Sequence, residues 1–215
     1  MPNRLELSLF AIVVGVLIWS GVAPYDRPTW VLEVFPVLIA LPLIATTRRR
    51  FPLTDLLLSM IALHCIVLMI GGHWTYARVP AGDWLRDALH LARNPYDRLG
   101  HFMQGFVPAL VAREILLRLE VLRRRGFLPF LVVCICLAVS AAYELVEWAA
   151  ALILGKGADE FLGTQGDPWD TQWDMFMALV GAMSAYAFLG RAHDRAIVRL
   201  QQCRNLVRRA GDASP

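Results

Sequence analysis

The sequence predicts an all-α fold: a polytopic integral membrane protein built as a bundle of about six transmembrane helices, with both termini cytoplasmic. Three observations carry that prediction. Apolar residues make up 57% of the 215-residue chain and fall in long runs. Arginine gathers in blocks at every second connection between those runs. The seven tryptophans all fall at the opposite connections.

Six runs approach the ~20 residues that cross a hydrocarbon core: 5–22, 29–46, 53–71, 97–117, 127–151 and 169–189. The first is followed by no convincing cleavage site and reads as a span, not a removable signal. The second contains Glu33, Pro36 and Pro42. Proline is tolerated in a membrane helix when neighbours satisfy the freed backbone, so a kinked helix packed inside the bundle is expected. Between spans three and four lies a long connection, Gly72 to Tyr96. There Asp83 is expected to cap a short helix with Trp84, Leu85, Ala88, Leu89 and Ala92 on one face and Arg86, Asp87, His90 and Arg93 on the other. Such a pattern suits a helix lying in the interface plane, or an ordinary helix packed over the bundle.

Arginine sets the expected orientation. Arg48, Arg49 and Arg50 follow span two, Arg118, Arg123, Arg124 and Arg125 follow span four, and six arginines from Arg191 to Arg209 follow span six. With six crossings these lie on one side, which the positive-inside rule makes the cytoplasm. The basic blocks therefore report topology, not nucleic-acid binding. Membrane lipids are the expected partners, and the bacterial inner membrane is the expected location. Residues 1–190 read as one six-span membrane domain and 191–215 as a basic amphipathic tail on the anionic inner leaflet. The four cysteines lack metal-ligand spacing and no disulfide is expected.

One polar stretch interrupts the apolar pattern: Gly163 to Asp174 carries Asp167, Asp170, Asp174, Gln165 and Gln172 with Trp169 and Trp173. Asp167 suits an N-cap, Pro168 the first helical position and Asp170 the first turn. Capping does not account for Asp174, an ionisable residue entering lipid, which is by default a functional candidate.

The six-span topology sends other polar residues to the same outer end. Span four begins with Asp97, His101 and Gln104 on one face, span five ends with Glu144 and Glu147, and His73 and Tyr76 follow span three. Each alone has a plainer role, as an interfacial polar residue or a packing histidine. Together, several carboxylates facing one another need a cation, an arginine or shared protons. Carboxylates with histidine suit zinc, iron or manganese, or magnesium where histidine is not a ligand.

Four ordered motifs, Gly72-His73-Trp74-Thr75-Tyr76, Tyr96-Asp97-Arg98-Leu99-Gly100-His101-Phe102, Tyr143-Glu144-Leu145-Val146-Glu147-Trp148 and Phe161 through Met175, resemble the YjdF family of bacterial inner-membrane proteins across nearly the whole chain. That resemblance implies a polytopic inner-membrane protein and no particular activity. A fainter likeness is to VanZ-like membrane proteins, some linked to glycopeptide-antibiotic resistance. These carry an aspartate and a His-Phe pair spaced as Asp97, His101 and Phe102. They carry amides where this chain has Glu147 and Asp174, so this site is the more acidic.

The expected activity is a cation-assisted hydrolase or transferase acting on an envelope lipid or lipid-linked precursor at the extracytoplasmic face. His101, Asp170, Asp174 and His73 would hold a divalent cation. Glu144 or Glu147 would act as base, and Asp97 would orient His101. Gln165, Gly166, Gln104 and Tyr76 would contact substrate, with the Gly163–Gly166 loop as a lid. Two other readings fit the same residues: a cation- or proton-coupled transport or binding protein, and a non-catalytic envelope scaffold.

Overall fold

The structure, a computed structural model, describes residues 4–154 and 164–212. The expectations that begin at Phe161 and Gly163 lie, for residues 161–163, outside the described residues. Helices in chain order are α1 (Arg4–Gly21), α2 (Arg27–Thr47), α3 (Asp55–Trp74), α4 (Pro80–Leu89), α5 (Tyr96–Arg118), α6 (Leu128–Leu154), α7 (Asp170–Ser184) and α8 (Gly190–Asp212). A short 3₁₀ turn (Arg125–Phe127) leads into α6, and a π-helical segment (Ala185–Leu189) joins α7 to α8 without a break. No strand occurs among the described residues.

Among the described residues, five stretches are long and apolar enough to cross a membrane: α1, α2, α3, Arg125–Ile153 around α6, and Asp170–Leu206. The expected fourth span is α5. Its 23 residues reach about 34 Å at about 1.5 Å per residue, enough to cross, but Asp97, Arg98, Arg113, Glu114 and Arg118 lower its hydropathy. The cause is position. α5 packs against α3, α6 and α7, and twelve of its residues are buried, so its polar groups face protein. Large apolar side chains such as Phe10, Ile18, Phe35, Leu43, Phe130, Leu152 and Phe188 instead point outward. That inversion suits a bundle solvated by lipid tails.

In such a medium helices associate through close packing and interhelical hydrogen bonds. α5 and α7 meet at glycine. A Cβ at Gly105 would collide with the Ala178 carbonyl oxygen, and one at Gly181 with the Phe102 carbonyl oxygen. Ala178, Ala182 and Ala185, all fully buried, extend this small-residue seam.

Local departures from expectation have local causes. α2 is peripheral, not interior. Only Thr29, Glu33, Val34 and Val37 are buried, along the stripe that meets α3, while Phe35, Leu38, Ile39 and Leu43 stay exposed. Its start is set by the Asp26 side chain, which accepts from the Thr29 N–H at 2.8 Å. α4 starts at Pro80, and Asp83 does not cap it. Asp83 sits inside the first turn and accepts from Arg86 at 2.7 Å and from the Asn94 side chain at 3.1 Å. The helix ends at Leu89 because His90 turns left-handed (φ 52°), which releases Ala92 and Arg93 from the expected face. α7 starts at Asp170, and Asp167 is not its N-cap. The Asp167 carboxylate accepts from the Trp169 N–H at 2.9 Å, closing a turn ahead of the helix.

The helix ends sort into two groups. At one end Trp30 donates to Ser20 at 3.1 Å, Tyr25 N–H bonds the His73 carbonyl at 2.9 Å, and the 90–95 and 164–167 loops meet. At the other end Arg48 lies 3.8 Å from Glu6, Arg118 stacks on Phe51, and Arg113 pairs with Asp194. Both described termini belong to this second, arginine-rich end.

Candidate functional site: a buried acid cluster around His101

Asp97 and His101 stand one turn apart on the first turns of α5, and both are buried. The His101 ring reaches three helices. Nε2 faces Asp97 Oδ1 at 3.5 Å and Asp174 Oδ1 of α7 at 3.9 Å, and Nδ1 faces Glu144 Oε1 of α6 at 3.8 Å. Glu147 lies one turn beyond Glu144 and is buried as well. Two triples share the histidine: Asp97, His101 and Asp174, and His101, Glu144 and Glu147. Within each, one donor atom per residue lies within 4.8 Å of the others. His101 Nδ1, Glu144 Oε1 and Asp174 Oδ1 are buried without a hydrogen-bond partner. Buried polar atoms are ordinarily paired, so one ring nitrogen and two facing carboxylate oxygens left without a hydrogen bond make this cluster the candidate site.

Arg93 closes the top of the cluster. It pairs with Asp170, donates to Asp97 Oδ2 at 3.1 Å and to the Thr164 carbonyl at 3.3 Å, and lies 3.7 Å from Asp167. Burial works against its charged form. The Asp170 hydrogen bond and the charges of Asp170, Asp97 and Asp174 outweigh that, so its pKa rises above the usual arginine value. Arg98 donates to Asp167 at 3.0 Å and lies over the Trp173 ring.

Below His101 a cavity of about 140 Å³ opens between α2 and α6, over α3 and α5. Its polar lining is Glu33, His64, Tyr76, Gln104 and Tyr143 beside Asp97, His101 and Glu147; Pro36, Leu68 and Val139 make its apolar wall. Tyr143 donates to Glu33 at 3.2 Å, bridging α6 to α2, and its ring meets His101 edge-on at 6.4 Å. Tyr76 fits only because Gly71 and Gly100 leave room for its ring.

The structure thus brings together Asp97, His101, Glu144, Glu147 and Asp174, with Gln104 and Tyr76 along the adjoining cavity. Asp170 joins through Arg93 and belongs to neither triple. His73 lies elsewhere: its Nδ1 faces the Ser20 carbonyl at 2.9 Å, and its ring stacks on Trp19 and meets Trp74 edge-on. Gln165 is held by Asn94, accepting from its N–H at 3.0 Å and donating to its carbonyl at 3.1 Å. Gly166 adopts φ 85° in open space. Arg93 was missed because it reads as part of the α4 polar face. Its position four residues before Asp97 was the available signal.

A second buried polar group escaped the sequence reading. Glu114 of α5 accepts from the Thr54 hydroxyl at 2.7 Å, the Thr54 N–H at 3.1 Å and Arg118 at 2.7 Å, and pairs with His193 of α8 at 2.8 Å. His193 falls within the stretch expected to be a basic amphipathic tail on the inner leaflet.

An all-helical bundle with several membrane-length apolar helices, lipid-type exposed side chains and a buried acid cluster defines a multi-pass membrane protein. Residues 5–195 match the family described as "Predicted membrane protein (DUF2238)". The chain is also 56% identical over 198 residues to "Inner membrane protein YjdF" of Escherichia coli (strain K12), covering 92% of this chain and 94% of that protein. The chain belongs to this family of membrane proteins. No solved structure matches it.

Proposed function

We propose that the protein crosses the inner membrane six times with both termini cytoplasmic, and that its acid–histidine cluster holds a divalent cation at the extracytoplasmic end. There it acts as a cation-assisted hydrolase or transferase on an envelope lipid or lipid-linked precursor. The observation that carries this reading is a buried ring nitrogen, His101 Nδ1, and two carboxylate oxygens facing its ring, Glu144 Oε1 and Asp174 Oδ1, all three without a hydrogen-bond partner. Glu33, Asp97, Glu144, Glu147, Asp170 and Asp174 are all buried near Arg93 and His101, and a bound cation would balance the excess of carboxylates. Imidazole with carboxylates suits zinc, manganese or ferrous iron.

Such a cation would polarise a phosphoryl or acyl oxygen. Asp97 would fix the His101 ring, and Glu144 or Glu147 would take a proton from water. The cavity between α2 and α6 has an apolar wall and a polar head, which supports an amphiphilic substrate with its headgroup at His101. The orientation rests on the arginine-rich end, which the positive-inside rule assigns to the cytoplasm.

The test is elemental analysis of detergent-purified protein. Wild type is expected to copurify with a stoichiometric divalent metal, and Asp174→Asn and Glu144→Gln to lose it while remaining folded. Metal-free wild type that stays metal-free after incubation with zinc, manganese and iron sinks this reading and leaves the scaffold. One observation favours transport as a second reading: the polar lining continues from His101 past Gln104 to His64, well inside the bundle. Metal uptake by proteoliposomes that stops in His64→Ala would select it.

A further inference from the structure

At the opposite end of the molecule from the acid cluster, α1, α2 and α3 enclose a groove of about 310 Å³. Its walls are apolar, formed by Phe10 and Val13, Leu41 and Ile44, and Ile61 and Cys65. Its charged lining residues are Glu6 and Arg48, from the first turns of α1 and the turn that ends α2, and they lie 3.8 Å apart. A second cavity of about 180 Å³ shares Glu6, Ile44, Arg48 and Leu58 with the groove and continues to Phe51, Asp55 and Leu200 of α8. The two form one cleft, apolar along the helices and charged where it emerges at the arginine-rich end.

We propose that this cleft is a binding site for an anionic phospholipid, with one acyl chain along the groove toward Cys65 and the phosphate at Arg48. The shape and polarity match an amphiphile aligned with the surrounding lipids. The charge selects among them. Arg48 lines the cleft, and the exposed Arg49 and Arg50, which line neither cavity, continue its turn to Phe51, itself a lining residue. Against them stand Glu6 and Asp55, which leaves a formal excess of one positive charge, the counterpart of one phosphodiester. Zwitterionic lipids would bring their own cation to the same rim and lose that advantage. Basic pockets between membrane helices are the usual form of anionic headgroup recognition. The site is separate from the cation cluster and does not depend on it.

The experiment is native mass spectrometry of protein released from phosphatidylcholine vesicles doped with phosphatidylglycerol. Wild type is expected to retain phosphatidylglycerol in preference to phosphatidylcholine. Arg48→Ala, Arg49→Ala and Arg50→Ala are expected to lower that retention about five-fold for each arginine removed. Ala40→Phe with Ala45→Phe, which fills the groove and leaves the arginines in place, is expected to abolish it. Melting in pure phosphatidylcholine should match wild type for every variant. Equal retention of the two lipids by wild type overturns the proposal. So does loss in the arginine variants with full retention in the filled groove, because the effect would then be surface charge alone.

Discussion

The Asp97 carboxylate divides its two oxygens between opposite tasks: Oδ2 accepts from Arg93 at 3.1 Å, and Oδ1 faces His101 Nε2 at 3.5 Å. An arginine on a loop therefore reaches the histidine at the centre of the cluster through one side chain. Arg93→Gln would leave Asp97 and Asp170 facing each other without their cation. Removing one member of a buried pair typically costs about 3–5 kcal/mol. The melting temperature of Arg93→Gln in detergent should fall clearly below wild type, with Arg93→Lys between the two. A Gln variant as stable as wild type would show that the carboxylates are neutralised another way.

Metal retention should depend on pH in one direction. The proposed ligands, carboxylates and imidazole, bind a cation only when deprotonated, so acidification competes with the metal. Occupancy measured after dialysis should fall as pH falls and recover on returning to neutrality with added metal. His101→Ala should retain little metal at any pH. Occupancy that is flat from neutral to acid pH would exclude His101 as a ligand.

The seam between α5 and α7 should be intolerant of any side chain. Gly105→Val and Gly181→Val would each drive a branched side chain into backbone on the facing helix. Both should fail to accumulate as folded protein, because overpacking here separates the helices that carry His101 and Asp174. Gly15→Val, where nothing lies within 4 Å, is the control and should accumulate normally. Equal yields of all three would place the helices farther apart.

Glu114 and His193 should anchor α8 to the bundle. Glu114→Gln weakens the bonds from Arg118 and His193 together, and His193→Ala leaves a buried carboxylate one partner short. Each should lower the melting temperature, by an amount corresponding to about 3 kcal/mol or more. The double variant should cost less than the sum, since both remove one shared interaction. Strict additivity would mean that the pair does not interact.

Topology is open to cysteine labelling in a background lacking the four natural cysteines. A cysteine at Gly166 should react with an impermeant reagent from outside intact inner-membrane spheroplasts, and one at Arg124 only after permeabilisation. The reverse pattern would put the acid cluster at the cytoplasmic face.

Much of the bundle was legible because apolar run length and helix length are the same quantity read twice. The boundaries of α1, α3 and α5 fall within about three residues of expectation. The convergence of Asp97, His101, Glu144, Glu147 and Asp174 was legible too, since alternating helix direction fixes which ends meet. What the sequence concealed depends on side-chain reach across loops. Arg93 reads as one more charge on an amphipathic helix until His90 ends that helix. His73 shares the correct end with the cluster, yet its ring is taken by Trp19 and Ser20. Glu114 and His193 lie 79 positions apart, and periodicity within either helix does not say that the two faces touch.

The π-helical segment has a consequence for phase. In an ideal α-helix each residue turns about 100°, so the nineteen positions from Asp174 to His193 would leave their side chains about 100° out of step. A single extra residue, as a π turn inserts, removes that offset and restores five whole turns. The buried positions follow this count: Asp174, Ala178 and Gly181 ahead of the segment, Ala185 at its start, then Gly190, His193 and Ile197 beyond it. One rod can therefore present an acid to His101 and a histidine to Glu114, both on α5, without twisting. Deleting one residue between Ala185 and Leu189 would leave the upper contact in register and swing the lower one away. The segment works as a vernier that sets the angular spacing between the two ends of the molecule.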